Sequence, residues 1–443
     1  MNRRGQGILL SAFLLLICGK NSQVHGQSRA ELDQRLKAIE KKLQQMEGLS
    51  KKSSPTPTPQ AKTDSLTSER GGIVLTAPAG GYTLKLGGFV QADSRNFIEN
   101  GRTFGMNNFL VRRARLDFQP SFDKTVGFKV QGDFAGTAAV LKDGYAWVKF
   151  IPNLQLLAGK FKPPTSLDRL QGDSDQVFIE KNLASNLTPD RDLGAMLTAK
   201  MGDFGTGALA VCNGAPDNGS LDLDTDNAKT WTGRIFFIPF AKMGSFVDGL
   251  GIGAAGSFGT EYGATPAYVT SGQLTFFSLK SSVKTQGDRY RLCPQGSFYW
   301  GPVGLEGEYL LSDYGLVNGA ATGTVLQKAW QGTASFVFGG KAAYAGALPD
   351  KPFDLSKGQL GALELGVRAS ELDLDPATFS GGFADPNSSA QQAFSFGGGV
   401  NWVPEPRFKL SLNYEWTQFQ GGAAGGANRL PEEVFLTRVQ SFF

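Results

Sequence analysis

The sequence is poor in the residues that build most catalytic and metal sites. It has a single histidine, His25, and three cysteines, Cys18, Cys212 and Cys293. If the first residues are removed on export, the mature chain has no histidine, which excludes Ser-His-Asp and Cys-His catalysis and His-ligated metals. Three cysteines are too few for a disulfide-stapled fold or a four-thiolate zinc site. We therefore expect no enzyme, no cofactor and no metal.

Long hydrophobic runs are also lacking. The most apolar stretch covers residues 8–18, about half of the roughly 20 residues that a membrane-spanning helix needs. Arg3 and Arg4 precede this stretch, and residues 24–26 fit a cleavage site. Residues 1–26 are therefore predicted to be a secretory signal peptide.

Charge of either sign is in short supply, since Asp, Glu, Lys and Arg make up 19% of the chain. The formal net charge is +4, and the signal peptide carries three basic residues and no acid, so the exported chain is near +1. This balance gives no reason to expect nucleic acid as a partner.

A short helical segment follows the signal peptide. Over residues 28–50 apolar side chains recur at the a/d spacing of a coiled coil, at Leu32, Leu36, Ile39, Leu43 and Met46. The pattern fits a self-associating stalk or a single amphipathic helix that lies on another surface. Residues 51–70 contain alternating Pro and Thr followed by Ser-rich sequence, which predicts an extended linker.

The rest of the chain is rich in glycine and consists of short alternating segments separated by turn residues. Val126, Phe128 and Val130, for example, alternate with Lys129 and Gln131. Period-2 alternation predicts a strand with one apolar and one polar face. The same pattern fits a soluble sandwich, in which the apolar face is the core, and an outer-membrane barrel, in which it faces lipid.

Three features favour the barrel. The chain ends in Phe443 after an alternating segment, as expected of a closing strand. Aromatic residues such as Trp300 cluster near strand ends, as in interfacial girdles. Charges such as Arg113 and Arg115 lie within strands, where a wet lumen tolerates them. We therefore predict an all-β fold, with residues 80–443 forming a transmembrane antiparallel β-barrel of about 16 strands.

Several motifs in this region resemble those of the phosphate-selective porin O/P family of bacterial outer membranes. They are residues 84–93 (LKLGGFVQAD), 109–116 (FLVRRARL), 159–164 (GKFKPP) with its continuation through 167–169, 178–182 (FIEKN) and 190–194 (DRDLG), 361–368 (GALELGVR) and 399–402 (GVNW). The resemblance covers about residues 82–443, and the third motif is the most specific.

The resemblance implies a trimeric barrel in the outer membrane that lets small solutes, with anions such as phosphate expected, diffuse passively through a water-filled bore. The expected partners are outer-membrane lipid, two further copies of the chain and small anions or other small solutes. Residues 28–70 would then lie on the periplasmic side. An alternative from another class is a surface adhesin or structural β-protein tethered by the coiled coil.

Basic residues are the candidates for the solute path. Candidates on the barrel wall are suggested by the resemblance or by inferred inward faces of strands. Candidates in a loop are suggested by the segment between residues 161 and 193. This segment is too long for an ordinary turn and is predicted to fold into the lumen. The candidates are Lys85, Arg112, Arg113, Arg115, Lys129, Lys162, Arg169, Arg191 and Arg234. Because Arg112 and Arg113 have opposite parity, one of them is expected near an interface, since an arginine facing lipid costs about 2–4 kcal/mol.

The same loop carries acids that would weaken an anion filter. Ser174 stands about where phosphate-selective members of the family have a lysine, and Asp173 and Asp175 flank it. The sequence therefore predicts at most a modest preference for anions and no high-affinity phosphate site.

Overall fold

The computed structural model describes residues 65–69, 72–77, 81–98, 105–224, 226–263 and 265–443, together with the single helical positions 34, 37 and 41. The predicted signal peptide, residues 1–26, lies outside the described residues. So does the predicted coiled coil, residues 28–50, apart from those three positions. All of the strands belong to the unit Thr63–Phe443.

The described part of the chain is almost entirely strand. In chain order the strands are β1 (Ser65–Glu69), β2 (Gly72–Thr76), β3 (Tyr82–Phe97), β4 (Asn108–Phe122), β5 (Val126–Asp133), β6 (Val140–Ile151), β7 (Leu154–Phe161), β8 (Asp192–Lys200), β9 (Gly205–Cys212), β10 (Thr230–Phe237), β11 (Leu250–Tyr262), β12 (Ala267–Val269), β13 (Thr275–Ser278), β14 (Lys284–Trp300), β15 (Val303–Asn318), β16 (Ala321–Phe338), β17 (Gly340–Lys341), β18 (Leu348–Pro349), β19 (Ala362–Asp373), β20 (Ala390–Glu405), β21 (Phe408–Gly421) and β22 (Glu432–Phe442).

The helices of the described residues are short. They are α1 (Leu167–Leu170), α2 (Ala377–Ser380) and the 3-10 turns Leu183–Leu187, Phe246–Gly249, Leu355–Lys357 and Ala424–Gly426. Among the residues that the structure describes, no helix has the length and apolarity needed to cross a membrane.

Within the described residues, sixteen strands form one closed antiparallel barrel. Each strand of the set β3–β11, β14–β16 and β19–β22 pairs with its neighbours in that order. The ring closes between the last and first members, because β22 pairs with β3 from Val434↔Phe97 to Phe442↔Phe89. The prediction of an all-β barrel of about 16 strands is confirmed. We call the end where β3 begins and β22 ends the terminal rim, and the other end the loop rim.

Two further strands extend the sheet at the terminal rim. The pairing of β22 stops at Phe89, and β2 continues along the same edge of β3, from Ile73↔Leu86 to Thr76↔Thr83. In turn, β1 pairs with β2. The structure therefore places a strand, Ser65–Glu69, in the last part of the segment predicted as linker, residues 51–70.

The two faces of the barrel wall are inverted relative to a soluble protein. On β21, Asn413 has no exposed surface, whereas its neighbour Leu412 is 46% exposed. A soluble sandwich would bury the leucine, because burying an apolar side chain stabilises a fold in water. Polar side chains pointing inward and apolar side chains pointing outward indicate a lipid-facing wall.

Much of the bore is filled. The segment between β11 and β14, which contains β12 and β13, folds inward and packs Tyr268, Phe276 and Phe277 with no exposed surface. These rings lie against inward residues of the wall such as Leu310 and Leu372. The filled side of the lumen, lined by β11, β14 to β16 and β19 to β21, leaves open space beside β3 to β6.

Candidate pore constriction

The connection between β7 and β8, residues 162–191, folds into the lumen and narrows it. Ser166, at the N-cap of α1, and Leu187, in the 3-10 turn, have no exposed surface. Polar loop residues can be buried here because the barrel wall offers them hydrogen-bond partners. We call residues 162–191 the constriction loop.

The constriction loop crosses the bore and is bonded to the opposite wall. The amide of Ile179 donates to Asn413 Oδ1 at 2.7 Å, and Arg438 donates to the Ile179 carbonyl at 2.7 Å. Lys409 Nζ donates to the carbonyls of Ser174 at 3.0 Å and Gln176 at 2.8 Å. These bonds to β21 and β22 fix the loop across the lumen.

Two consecutive arginines of β4 both point inward, so the expectation that Arg112 and Arg113 face opposite sides of the wall is wrong. Gln91 pairs with Arg113, but the next residue, Ala92, pairs with Val111, so Arg112 is an extra residue in β4. Such a β-bulge breaks the strict alternation of faces and re-aims a side chain. The bulge therefore spares Arg112 the cost of facing lipid.

The arginines of β4 meet the acids of the constriction loop. Arg112 holds Glu180 with two bonds, Nε to Oε1 at 2.5 Å and Nη2 to Oε2 at 3.1 Å. Arg115 lies 2.5 Å from Asp173 and 2.8 Å from Asp133. Arg113 lies between the two loop acids, 3.6 Å from Asp173 and 3.7 Å from Glu180. The acids thus occupy part of the positive surface that the sequence places on the wall.

Both loop acids are held ionised. Burial by itself would raise the pKa of Glu180, but the charges of Arg112 and Arg113 outweigh it and lower that pKa to about 2. Burial likewise opposes ionisation of Asp173, but the charges of Arg113 and Lys162 bring its pKa well below the usual range. Asp173 and Glu180 therefore carry negative charge at any physiological pH.

A second bulge adds a cation that the sequence analysis missed. Gln131 pairs with Asp143 and the next residue, Gly132, pairs with Leu141, so Lys142 is an extra residue in β6. Its Nζ lies 3.4 Å from Asp190 Oδ2. The signal was available, because two adjacent charges, Lys142 and Asp143, break the period-2 pattern just as Arg112 and Arg113 do.

The remaining inward cations near the constriction also lie beside acids. Arg191 is 2.5 Å from Asp190 and 3.3 Å from Asp143. Lys129 is 2.9 Å from Asp143 and 3.3 Å from Asp117. Asp143 thus joins the wall strand β5 to the end of the constriction loop.

Two cavities lie on the open side of the lumen, one above the other. The upper cavity, of about 290 Å³, reaches toward the loop rim, and the lower cavity, of about 280 Å³, reaches the terminal rim at Phe442. Both are lined by Arg115, Asp173 and Arg191. These three residues therefore lie where the two cavities adjoin, a region that we call the passage.

The basic loop candidates line the cavities, whereas Asp175 does not. Lys162 lines the lower cavity and donates to the Gln171 carbonyl at 3.0 Å, and burial lowers its pKa to about 7. Arg169 lines the upper cavity and donates to the carbonyl of Ser185 at 2.5 Å. Asp175 accepts a hydrogen bond from Ser174 at 3.1 Å and lines neither cavity.

Two wall candidates lie away from the passage. Lys85 is on β3 near the terminal rim, opposite Gln119 of β4, and lines neither cavity. Arg234, on β10, donates to Gln295 at 2.9 Å and stacks over Phe236, also outside both cavities. Resemblance to a family motif therefore did not suffice to place these two cations on the open path.

The comparisons with known proteins agree with this architecture. The family model for phosphate-selective porin O and P matches residues 84–423. An uncharacterized protein of Caulobacter vibrioides is 25% identical over 408 residues, which cover 84% of this chain and 75% of that protein.

Solved structures of outer-membrane proteins share the fold. The channel DcaP of Acinetobacter baumannii aligns with a TM-score of 0.53 at 14% identity, over 83% of this chain and 99% of that one. The trimer form of OmpT from Vibrio cholerae gives 0.52 at 11% identity, over 82% and 100%. An anion-selective porin of Comamonas acidovorans gives 0.50 at 11% identity, over 82% and 100%.

The matched family region spans the barrel strands from β3 to β21 and includes the constriction loop with its arginine partners on β4. Family and fold are those of a channel rather than of an enzyme or a tethered adhesin. The chain belongs to the phosphate-selective porin O and P family and is an outer-membrane porin.

Proposed function

We propose that this porin conducts small solutes through the one open side of its bore, with a modest preference for anions and without a high-affinity phosphate site. The observation that carries the proposal is the charge of the upper cavity. Among the described residues that line it, seven basic side chains face four acidic ones. An excess of fixed positive charge lowers the barrier to anion entry and raises the barrier for cations.

The preference is modest because the narrow passage is not purely positive. Asp173 borders both cavities and stays ionised beside Arg115. A multiply charged anion must therefore pass a buried carboxylate, and near buried groups charges act more strongly than in bulk water. The opposite wall also carries a cation, Lys409, but its ammonium group donates hydrogen bonds to the loop carbonyls of Ser174 and Gln176.

The test is single-channel recording in planar bilayers under a salt gradient, followed by phosphate titration of the chloride current. We expect a reversal potential of the anion-selective sign that falls toward zero as salt rises, because the Debye length shrinks from about 10 Å at 0.1 M to about 3 Å at 1 M. Cation selectivity, or block of the current by micromolar phosphate, would contradict the proposal.

We further propose that the terminal rim faces the periplasm. Several of the connections at this rim, such as residues 123–125, 152–153 and 301–302, are tight turns, whereas outer-membrane barrels carry their longer loops outside the cell. Residues 28–70 would then be periplasmic. Labelling of single cysteines in intact cells tests this: one introduced at the turn 152–153 should resist a membrane-impermeant reagent, and one at the loop-rim turn 319–320 should react.

A homotrimer is the assembly we propose, since the Vibrio cholerae relative in fold is described as a trimer. The mass of the detergent-solubilised protein, measured by light scattering with the detergent contribution subtracted, tests it. Three times the mass of one chain is expected, and the mass of a single chain would contradict it.

A further inference from the structure

We propose that Tyr344, on a connection of the terminal rim, is a positioning residue for the pore: it holds α1 in place and thereby keeps Asp173 at the passage between the two cavities. The proposal rests on the function proposed above, in which that passage carries the solute. Tyr344 lies far from the constriction loop in sequence.

The connection that carries Tyr344 is unlike the tight turns of this rim. It runs from residue 339 to residue 361, between β16 and β19, and its first half reaches α1 of the constriction loop through Tyr344. Ala342 and Ala347 are only 7% and 5% exposed and pack with Val403 of β20. The amide of Ala342 donates to the Gly301 carbonyl at 2.9 Å, so this half is bonded to a neighbouring turn.

Tyr344 contacts both ends of α1. Its Oη donates to the Leu167 carbonyl at 2.6 Å, at the first residue of the helix. Its own carbonyl accepts from Gln171 Nε2 at 2.8 Å, at the residue that caps the helix. The two bonds together fix the position and direction of α1 from the side of the terminal rim.

A helix as short as α1 depends on such outside contacts. It has four residues, and one helical turn has no stability of its own because nucleation costs more than the few bonds return. The wall supplies a second support, since Glu308 of β15 accepts from the Leu167 amide at 2.8 Å and from Ser166 Oγ at 3.0 Å. Tyr344 and Glu308 thus hold the helix from two directions.

The position of α1 sets the position of Asp173. Only Gln171 and Gly172 separate the helix from this residue, whose carboxylate lies 2.5 Å from Arg115. Gln91 donates to the Asp173 carbonyl at 2.9 Å from the other side. If the support below α1 is loosened, the carboxylate spends less time on Arg115 and the passage fluctuates.

The experiment compares Tyr344→Phe with Tyr414→Phe in planar bilayers. Tyr414 is the matched control, because its hydroxyl also makes one hydrogen bond, to Glu433 at 2.8 Å, but on the outer face of the wall. We expect Tyr344→Phe to raise open-channel current noise and to shift the anion-to-cation permeability ratio in the direction of Asp173→Asn, by less than the roughly twofold change expected when that charge is removed altogether. Tyr414→Phe should match the wild type in both.

A double variant shows whether Tyr344 acts through Asp173. In an Asp173→Asn background, Tyr344→Phe should leave the permeability ratio unchanged, because the charge that it positions is already absent. The proposal would be overturned if Tyr344→Phe had the same permeability ratio and noise level as Tyr414→Phe. It would also be overturned if Tyr344→Phe shifted the ratio as much in the Asp173→Asn background as in the wild type.

A second readout does not depend on conductance and so separates this proposal from the proposed function. Hydrogen exchange of the amides in residues 167–175 should accelerate in Tyr344→Phe by about fivefold, as the loss of one hydrogen bond implies, and should not change in Tyr414→Phe. A wild-type protein that conducts nothing would refute the proposed function. Unchanged exchange in a conducting or non-conducting protein would refute the role of Tyr344.

Discussion

One lumen contains two very different interiors. On the open side, beside β3 to β6, the inward side chains are charged and border two cavities, as Arg115 and Asp173 do. On the filled side, toward the loop rim, Tyr268, Phe276 and Phe277 are fully buried in a cluster with apolar side chains of the wall. Both sides are built from strands with the same period-2 alternation.

The difference shows how a wide barrel makes a narrow path. A barrel of sixteen strands encloses a broad aqueous bore unless something occupies it. Here a packed apolar core fills one side of the bore. Charges on that side are buried in ion pairs, as Arg289 is with Asp217, whereas the charges that border open space lie on the other side. The two sides should therefore respond differently to substitution.

Disrupting the charged side at Glu180, a buried acid that contacts several arginines, should have the largest effect. Glu180 is 2% exposed and lies within 4.0 Å of Arg95, Arg112, Arg113 and Arg438. Glu180→Gln leaves these guanidinium groups without their shared partner, and we expect the free energy of unfolding to fall by about 3–5 kcal/mol. Denaturant unfolding in detergent measures it.

The control for this variant is Glu433→Gln, at a position near the loop rim on the outer face of β22. Its unfolding free energy should change by less than about 1 kcal/mol, because Glu433 is half-buried and a neutral glutamine can still accept the hydrogen bond from Tyr414. Equal losses in the two variants would mean that Glu180 has no special role in holding the arginines.

Disrupting the filled side should lower the free energy of unfolding by a similar or slightly smaller amount and should also widen the bore. Phe277→Ala removes a fully buried ring, and we expect a loss of about 3–5 kcal/mol because a cavity remains. Phe246→Ala, at a 63% exposed ring in a turn of the terminal rim, should cost within about 0.5 kcal/mol. We also expect a larger single-channel conductance in Phe277→Ala only; an unchanged conductance would show that the ring does not help to block the bore.

The comparison can be sharpened within the constriction loop itself. Asp173→Asn should raise the anion-to-cation permeability ratio by about twofold, whereas Asp175→Asn should raise it less, because only Asp173 borders the passage. Arg234→Gln, outside both cavities, should leave the ratio unchanged. Reversal potentials under a salt gradient measure all three. An Asp175→Asn effect as large as that of Asp173→Asn would place Asp175 on the conduction path.

The smallest effect should come from pH. Burial lowers the pKa of Lys162 from the ordinary lysine value to about 7, so this side chain of the lower cavity is a cation at pH 6 and largely neutral at pH 8. The anion preference should therefore fall as pH rises from 6 to 8. At both pH values Lys162→Met should show the anion preference that the wild type has at pH 8, and the pH dependence in this range should be lost. A pH dependence that persists in Lys162→Met would assign the titration to another group.

The alternation of the sequence determined a large share of the fold. Val126, Phe128 and Val130 face outward and Lys129 and Gln131 inward, as the period-2 pattern predicts, because each strand residue has only two directions open to it. The motifs between residues 84 and 402 indicated the family, and the length of residues 161–193 indicated a loop in the lumen. These are local properties of the chain, and a single sequence displays them.

Only the tertiary structure decided where the charges go. Whether Arg112 points inward depends on the register of β3 against β4, and the bulge that sets it arises from pairing with a partner strand. The contacts of Ile179 with Asn413, and of Leu167 with Tyr344, join residues more than a hundred positions apart. The sequence specifies which side chains are polar, but closing the barrel brings those distant side chains together, and that closure alone selects which cations line the open path.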